Sequence, residues 1–368
     1  MLIYLITFFV SYINSFIANK TIARRTYFLF FSGIAILVPA LLAGFRDLTV
    51  GHDLNAYMVP NFRTMHNVDE IKEFFIVAAV QQLEIFYQGY NFLISRFTDD
   101  FFWPLFIQQV IVLTIVYKLL YSIRNSINYP LAFLIYLLFI FCDSMTMNRQ
   151  IFAIAIIAYS YIYILRKKPL LFLITVTIAF GFHNSAVFGY LLYPLFTWIN
   201  NQKKSVSILT VLIFFGAGLV LFLSFPQLLS FLISKGLVSP VYERYVSSGY
   251  NVHKADLLLI VFCFIFGLIT SKGIDKKYSN NIKLLSIATF FILLCGIYND
   301  TAQRAAIYIE IYLFIQILSS IKSMNETNRQ VFSVLFVLLM LFNFSYIATT
   351  TQFAEAIPYT STTLGIGK

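Results

Sequence analysis

Four short polar groups hold most of the chemistry available to this chain. Arg46-Asp47 leads through Gly51 and His52 to Asp53. Asn148-Arg149-Gln150, His183-Asn184-Ser185 and Asp300-Thr301-Ala302-Gln303-Arg304 each stand beside a long apolar run. Arginine is always charged, and its planar fork takes a phosphate or carboxylate through two parallel hydrogen bonds. Arg46, Arg149 and Arg304 are therefore candidates for an anion clamp. An arginine at the end of a membrane span can also snorkel to headgroups. At Arg46 the company of Asp47 and Asp53 argues for a site, with Gly51 permitting a tight turn that folds Asp53 back toward the arginine. Arg149 opens a helix whose free N–H groups and positive dipole end favour an anion, with a purely topological arginine as the alternative.

His183 is set between two apolar runs, and its ordinary pKa near ~6.5 suits a base or a donor at neutral pH, or a satisfied structural group. Asp300 and Arg304 are spaced for a helical i,i+4 pair. Glu310 lies deeper in the same run, where a carboxylate is costly unless paired or wet. No histidine pair has metal-ligand spacing. Cys142, Cys263 and Cys295 are scattered through apolar runs and read as packing residues, so neither a metal nor a disulfide framework is expected.

The elements that must position these groups are membrane helices. Hydrophobic residues make up 60% of the chain and charged ones 11%, against about a quarter charged in a soluble domain. A soluble globule is excluded, and an all-α integral membrane bundle is expected, because backbone in lipid must satisfy itself. Apolar runs predict about twelve spans, near 1–19, 27–44, 101–122, 131–147, 149–165, 170–183, 186–199, 206–225, 256–271, 283–298, 305–321 and 331–349. The run at Met1 has no basic leader and reads as a retained span. Short connectors argue for one polytopic domain over residues 1–368.

Sixteen of the 26 basic residues fall in one alternate set of connectors, with only Asp275 and Glu326 as acids among them. The positive-inside rule puts that set in the cytoplasm. Both termini and all four polar groups then lie outside. The net charge of +10 is a topology signal; no basic groove for nucleic acid is present. Two longer outer loops are expected, at about 45–100 and 226–255. In the first, Phe74, Phe75, Val77, Ala78 and then Leu83, Phe86, Tyr87, Tyr90, Phe92 and Leu93 recur at helical spacing, as in helices lying on or dipping into the membrane. The tyrosines of the second, Tyr242, Tyr245 and Tyr250, suit headgroups or the faces of sugar rings.

Phe45-Arg46-Asp47 with Val50-Gly51-x-Asp53 and Tyr57, Glu84 leading Tyr87 and Leu93-Ile94, Asn148-x-Gln150 around Arg149 with Ala153, and His183-x-Ser185-Ala186 run in the order found in the EpsG family. This family is a branch of the Wzy-type polysaccharide polymerases, and the hydrophobic layout extends the resemblance over nearly the whole chain. His52 departs from the small or hydroxyl residue common there, and the second half of the chain matches less clearly.

The resemblance implies a GT-C-like glycosyltransferase in the bacterial cytoplasmic membrane, with its active face outside. It implies an undecaprenyl-diphosphate-linked oligosaccharide as substrate, membrane lipid as surroundings and a chain-length regulator as partner, with no cofactor. Arg46, Arg149 and Arg304 would then stabilise the leaving diphosphate. His183, Glu84 and Asp53 compete as proton acceptor, with His183 favoured. Asp47, Gln150, Asp300, Tyr57 and Tyr242 would position substrate, and Tyr87 and Tyr245 are further candidates to hold sugar faces. The rivals are a lipid-linked oligosaccharide flippase and an O-antigen ligase. A flippase would place its charges near the bilayer midplane, and a ligase usually concentrates its polar residues in one late loop.

Overall fold

The computed structural model describes residues 1–81, 83–200, 207–236, 254–270, 276–296 and 300–367. It is all-α: among these residues the only β feature is an isolated bridge between Ser361 and Ile366. Among the described residues eight helices are long and apolar enough to cross a membrane, so the chain is a multi-pass membrane protein.

The chain forms two compact units, residues 1–187 with 340–368, and residues 188–339. The first holds α1 (Leu2–Lys20), α2 (Arg25–Gly44), a π-helical turn (Leu54–Met58), α3 (Val59–His66), α4 (Ile71–Gln81), α5 (Ile85–Ser95), α6 (Phe102–Ser122), α7 (Tyr129–Thr146), α8 (Gln150–Leu165) and α9 (Pro169–Phe180). A 3-10 segment, Asn184–Leu191, follows. The second unit holds α10 (Leu192–Asn200), α11 (Ile208–Ser234), α12 (Lys254–Thr270), α13 (Lys276–Cys295) and α14 (Asp300–Lys322). The helix α15 (Glu326–Thr350) contributes to both units, and the short α16 (Gln352–Glu355) closes the first.

Local chemistry sets several helix starts. The Asn128 side chain accepts the Leu131 N–H ahead of α7, with Pro130 in the first turn, where its missing N–H costs nothing. Asp100 accepts the Phe102 N–H at 2.9 Å as α6 begins. Ser207 accepts the Thr210 N–H at the head of α11.

In the first unit α1 packs on α2 and α7, α2 on α6, and α8 on α6 and α9. The outward stripe of α1 (Leu2, Ile6, Phe9, Ile13, Phe16) is apolar and exposed at helical spacing, as a lipid-facing surface must be. Ala153, Ala155 and Ala158 of α8 are buried, which fits the small-residue packing surface expected there.

Three sequence-based boundaries change. The run at 186–199 is a 3-10 segment followed by the nine-residue α10, and the run at 170–183 is the twelve-residue α9; neither has the length of a regular span. The helix read as 206–225 continues to Ser234, so apolar sequence shortens the second outer loop from its N-terminal side. Residues 237–253 of that loop, including Tyr242, Tyr245 and Tyr250, lie outside the described residues.

The first outer loop is helical, as its periodicity predicts, and α5 turns its polar side inward. Its buried stripe is Tyr87, Gln88, Asn91 and Ser95, while Ile85, Phe86 and Leu93 are exposed. Burying apolar surface brings no gain against lipid, so hydrogen-bonding groups go inward instead. Gln88 donates to the carbonyls of Leu83 and Ala78. Asn91 donates to Asn61 at 2.6 Å, and Asn61 to Gln81. This amide ladder ties α3, α4 and α5 into one cap beside the site.

Candidate active site

Gly51 sets the first turn. Its φ is +108°, and an added Cβ would lie 2.5 Å from the Met145 carbonyl oxygen at the end of α7. Only glycine holds this left-handed conformation so close to another backbone. The turn behind Arg46 expected from the sequence is therefore present. The Gly51 carbonyl accepts the Leu54 N–H and starts the π-helical turn, which Asp53 precedes and in which Tyr57 lies. Single π turns recur at functional sites.

Arg46 sits just beyond α2, with 5% of its surface exposed. Its Nη2 donates to Asn148 Oδ1 at 3.3 Å, an oxygen that also receives Gln108 Nε2 at 3.3 Å. Arg46 Nε and Nη1 have no hydrogen-bond partner, and among the described residues no carboxylate forms an ion pair with it. Burial lowers its pKa to about 10, against the opposing pull of the Tyr4, Tyr359 and Tyr87 phenols. At neutral pH Arg46 is thus a buried cation with one edge open.

The other candidate arginine in the first unit, Arg149, is engaged. Arg149 Nη1 donates to Glu84 Oε2 at 2.6 Å, and its guanidinium lies 4.6 Å from the centre of the Tyr57 ring, a cation–π contact. The second Glu84 oxygen accepts the Asn184 N–H at 3.1 Å. Gly181 makes this meeting possible. Phe86 N–H bonds to its carbonyl at 2.9 Å, and a Cβ on Gly181 would fall 2.3 Å from the Phe86 ring. The start of α5 thereby docks on the end of α9, and Glu84 is brought to His183-Asn184-Ser185.

His183 Nδ1 accepts the Ser185 N–H at 3.2 Å and lies 2.7 Å from Ser185 Oγ. In the neutral tautomer that accepts this N–H, the ring proton sits on Nε2. Gln150 is buried at the start of α8.

Three features escaped the sequence. The first is Tyr87, read above as a candidate to hold sugar faces. It is fully buried, so its ring is unavailable for stacking on a sugar. Instead it lies within electrostatic reach of Arg46, Arg149, Asp53 and Glu84, each of which shifts its ionisation or is shifted by it.

The second is the C-terminal segment, which covers the turn after α2. Asp47 N–H donates to the Thr360 carbonyl, Thr362 N–H to Asp47 Oδ1 at 2.8 Å, Ser361 Oγ to the Phe45 carbonyl, and Gly51 N–H to the Glu355 carbonyl. The Thr362 N–H holds the Asp47 carboxyl below its ordinary range. Asp47, expected to position substrate, is thus engaged in holding this segment. The third is Gly181. Hydroxyl-rich tails and single glycines carry no signal that tells what they will touch.

Arg304 lies half-buried in α14 of the second unit. Asp300 begins that helix, and its side chain is outside what is described, as is Tyr242. Glu310 is buried deeper in α14. Among the described residues no three His, Cys, Asp or Glu side chains gather as a metal site would require.

Residues 29–361 match the EpsG family. The chain belongs to that family. This span covers all four polar groups and most of the C-terminal segment, and the assignment supports a general polysaccharide-polymerase role for this EpsG-family protein. No curated protein and no solved structure gives a match.

Proposed function

We propose that this EpsG-family protein joins oligosaccharide repeat units carried on undecaprenyl diphosphate, on the outer face of the bacterial cytoplasmic membrane. The chain acts as a polytopic membrane bundle, GT-C-like in kind, alongside a chain-length regulator. A hydroxyl of the incoming unit attacks the anomeric carbon of the lipid-linked chain. The bond from that carbon to the diphosphate oxygen breaks, and undecaprenyl diphosphate leaves with the electron pair.

The observation that carries this reading is the open edge of Arg46. A buried cation with two unused N–H donors is arranged for an oxyanion that arrives from elsewhere, and a leaving diphosphate gains negative charge in the transition state. Arg149 stands beside it in sequence through Asn148, braced by Glu84 and Tyr57, and takes the second phosphate. Arginines supply the positive charge, so the proposal involves neither metal nor nucleotide sugar.

The hydroxyl proton needs an acceptor. His183, Glu84 and Asp53 are the candidates for this role, and Glu84 already receives Arg149 and Asn184. Gln150 and Tyr57 position the sugars in this scheme.

The test is purified protein incubated with a lipid-diphosphate oligosaccharide and no metal or nucleotide sugar, followed by gel analysis. A ladder of polymer is expected, lost in Arg46→Ala and reduced in Asp53→Asn. Folded protein that makes no ladder with any of several repeat units, yet moves the same lipid across vesicles, would establish transport instead.

A further inference from the structure

Three tyrosines shift the ionisation of Arg46, and two of them are committed elsewhere. Tyr4 donates its hydroxyl to the Ala356 carbonyl, and Tyr359 donates to the Leu42 carbonyl at 2.8 Å. Tyr87 differs. It is fully buried and its hydroxyl donates to nothing, just as Nε and Nη1 of Arg46 donate to nothing. Burial raises the Tyr87 pKa to about 12; the Asn91 amide and Arg149 pull the other way, and Asp53 and Glu84 add to the rise. The group is therefore a neutral O–H donor at any physiological pH. Three buried donors, the Tyr87 hydroxyl and Nε and Nη1 of Arg46, are left without a hydrogen-bond partner, against the rule that buried polar groups are satisfied. A protein tolerates this where a ligand supplies what is missing.

We propose that the Tyr87 hydroxyl and the open edge of Arg46 bind one phosphate oxyanion together, which makes Tyr87 a diphosphate-binding residue. The assignment deepens the polymerase reading and rests on it for the identity of the ligand, though the anion site itself does not. The ring is already in place before ligand arrives. Glu84, three residues earlier, is held by Arg149 and Asn184, and Phe86 is held against Gly181. A hydroxyl on a preset ring gives up little entropy on binding.

The experiment compares wild type, Tyr87→Phe, Arg46→Lys and Tyr359→Phe in lipid nanodiscs. It measures melting temperature without ligand, then affinity for inorganic pyrophosphate by thermal shift. Tyr359→Phe removes a hydroxyl already bonded to Leu42 and should melt lower. Tyr87→Phe removes one that is bonded to nothing, so it should melt no lower than wild type while binding pyrophosphate five- to twentyfold more weakly. In the polymerisation assay Tyr87→Phe should lower kcat more than it raises KM, because the contact tightens as charge develops.

Wild-type pyrophosphate affinity in Tyr87→Phe overturns the proposal. So does a melting temperature that falls as far as in Tyr359→Phe, or a failure to fold, since either makes the hydroxyl structural. If pyrophosphate binding depends on Tyr87 as expected but no polymer forms, the polymerase reading fails and the anion site stands.

Discussion

Glu84→Ala tests whether the loop carrying α5 is what aims Arg149. Glu84 has 6% of its side chain exposed and Arg149 20%, with 2.6 Å between their atoms. Glu84 also receives the Asn184 N–H at 3.1 Å. Hydrogen bonds to a charged group contribute about 1.5–3 kcal/mol each. Removing one partner of a fully buried pair costs about 3–5 kcal/mol. Arg149 keeps some contact with solvent, so the lower part of that range applies, and a loss of about 2–4 kcal/mol is expected. At about 1.4 kcal/mol per tenfold, polymerisation should fall roughly thirty- to several-hundredfold if the loss appears in the transition state. Glu84→Gln keeps an acceptor for Asn184 and should fall less.

The decisive assay is a double-mutant cycle with Arg149→Ala, read as initial rates of ladder formation at matched protein levels. A single ion pair acting through Arg149 predicts that the double variant is little worse than Arg149→Ala, with a coupling of about 1.5–3 kcal/mol. Additive losses, with coupling under about 0.5 kcal/mol, would refute the idea that Glu84 works by orienting Arg149.

Four further outcomes follow from the same geometry. Arg46→Ala should reduce polymerisation by at least about ten- to a hundredfold, from the loss of charge-assisted contacts of about 1.5–3 kcal/mol. Lysine should rescue poorly, because it lacks the planar fork; near-normal polymer length at low expression would remove Arg46 from the site. Gly51→Ala must place a side chain at φ +108° and 2.5 Å from Met145 O, and should cost at least about 2 kcal/mol, seen as a lower melting temperature. Asp47 has a depressed folded pKa, so its stabilisation is complete above the unfolded value near ~3.9 and disappears as pH falls through the lower folded value. The melting-temperature advantage of wild type over Asp47→Asn should thus shrink only in acid, and an advantage unchanged at low pH would contradict it. Single cysteines at Asn55 and Asn184, both exposed, should react with impermeant reagents in intact cells; reaction only after lysis would reverse the proposed topology.

Much of the candidate site was legible because its parts are chemically out of place. A charge beside a long apolar run is costly wherever it lies, so Arg46, Arg149, Glu84 and His183 declared themselves by type. The helices of the first outer loop were legible by period. Their facing was not. In lipid a polar stripe turns inward for its hydrogen bonds and an apolar one turns outward, and α5 accordingly buries Tyr87 and Asn91 while Phe86 and Leu93 are exposed. Pairing was equally hidden: Glu84 read as a rival base, and only its contact with Arg149 across 65 residues of chain makes it a brace. The same holds for His183, whose bond from Ser185 decides the tautomer.

The amino-acid sequence by itself determined that this chain is an all-α, multi-pass membrane protein of the EpsG family, and which polar groups were worth attention. Composition, apolar run length and residue type are local properties, and lipid allows them few outcomes. The tertiary structure alone decided which cation is paired and which is left open, that the C-terminal segment seals the turn after α2, and that a buried tyrosine presents its hydroxyl without a partner. Those depend on which distant groups pack together, a matter of three-dimensional distance that no local pattern encodes.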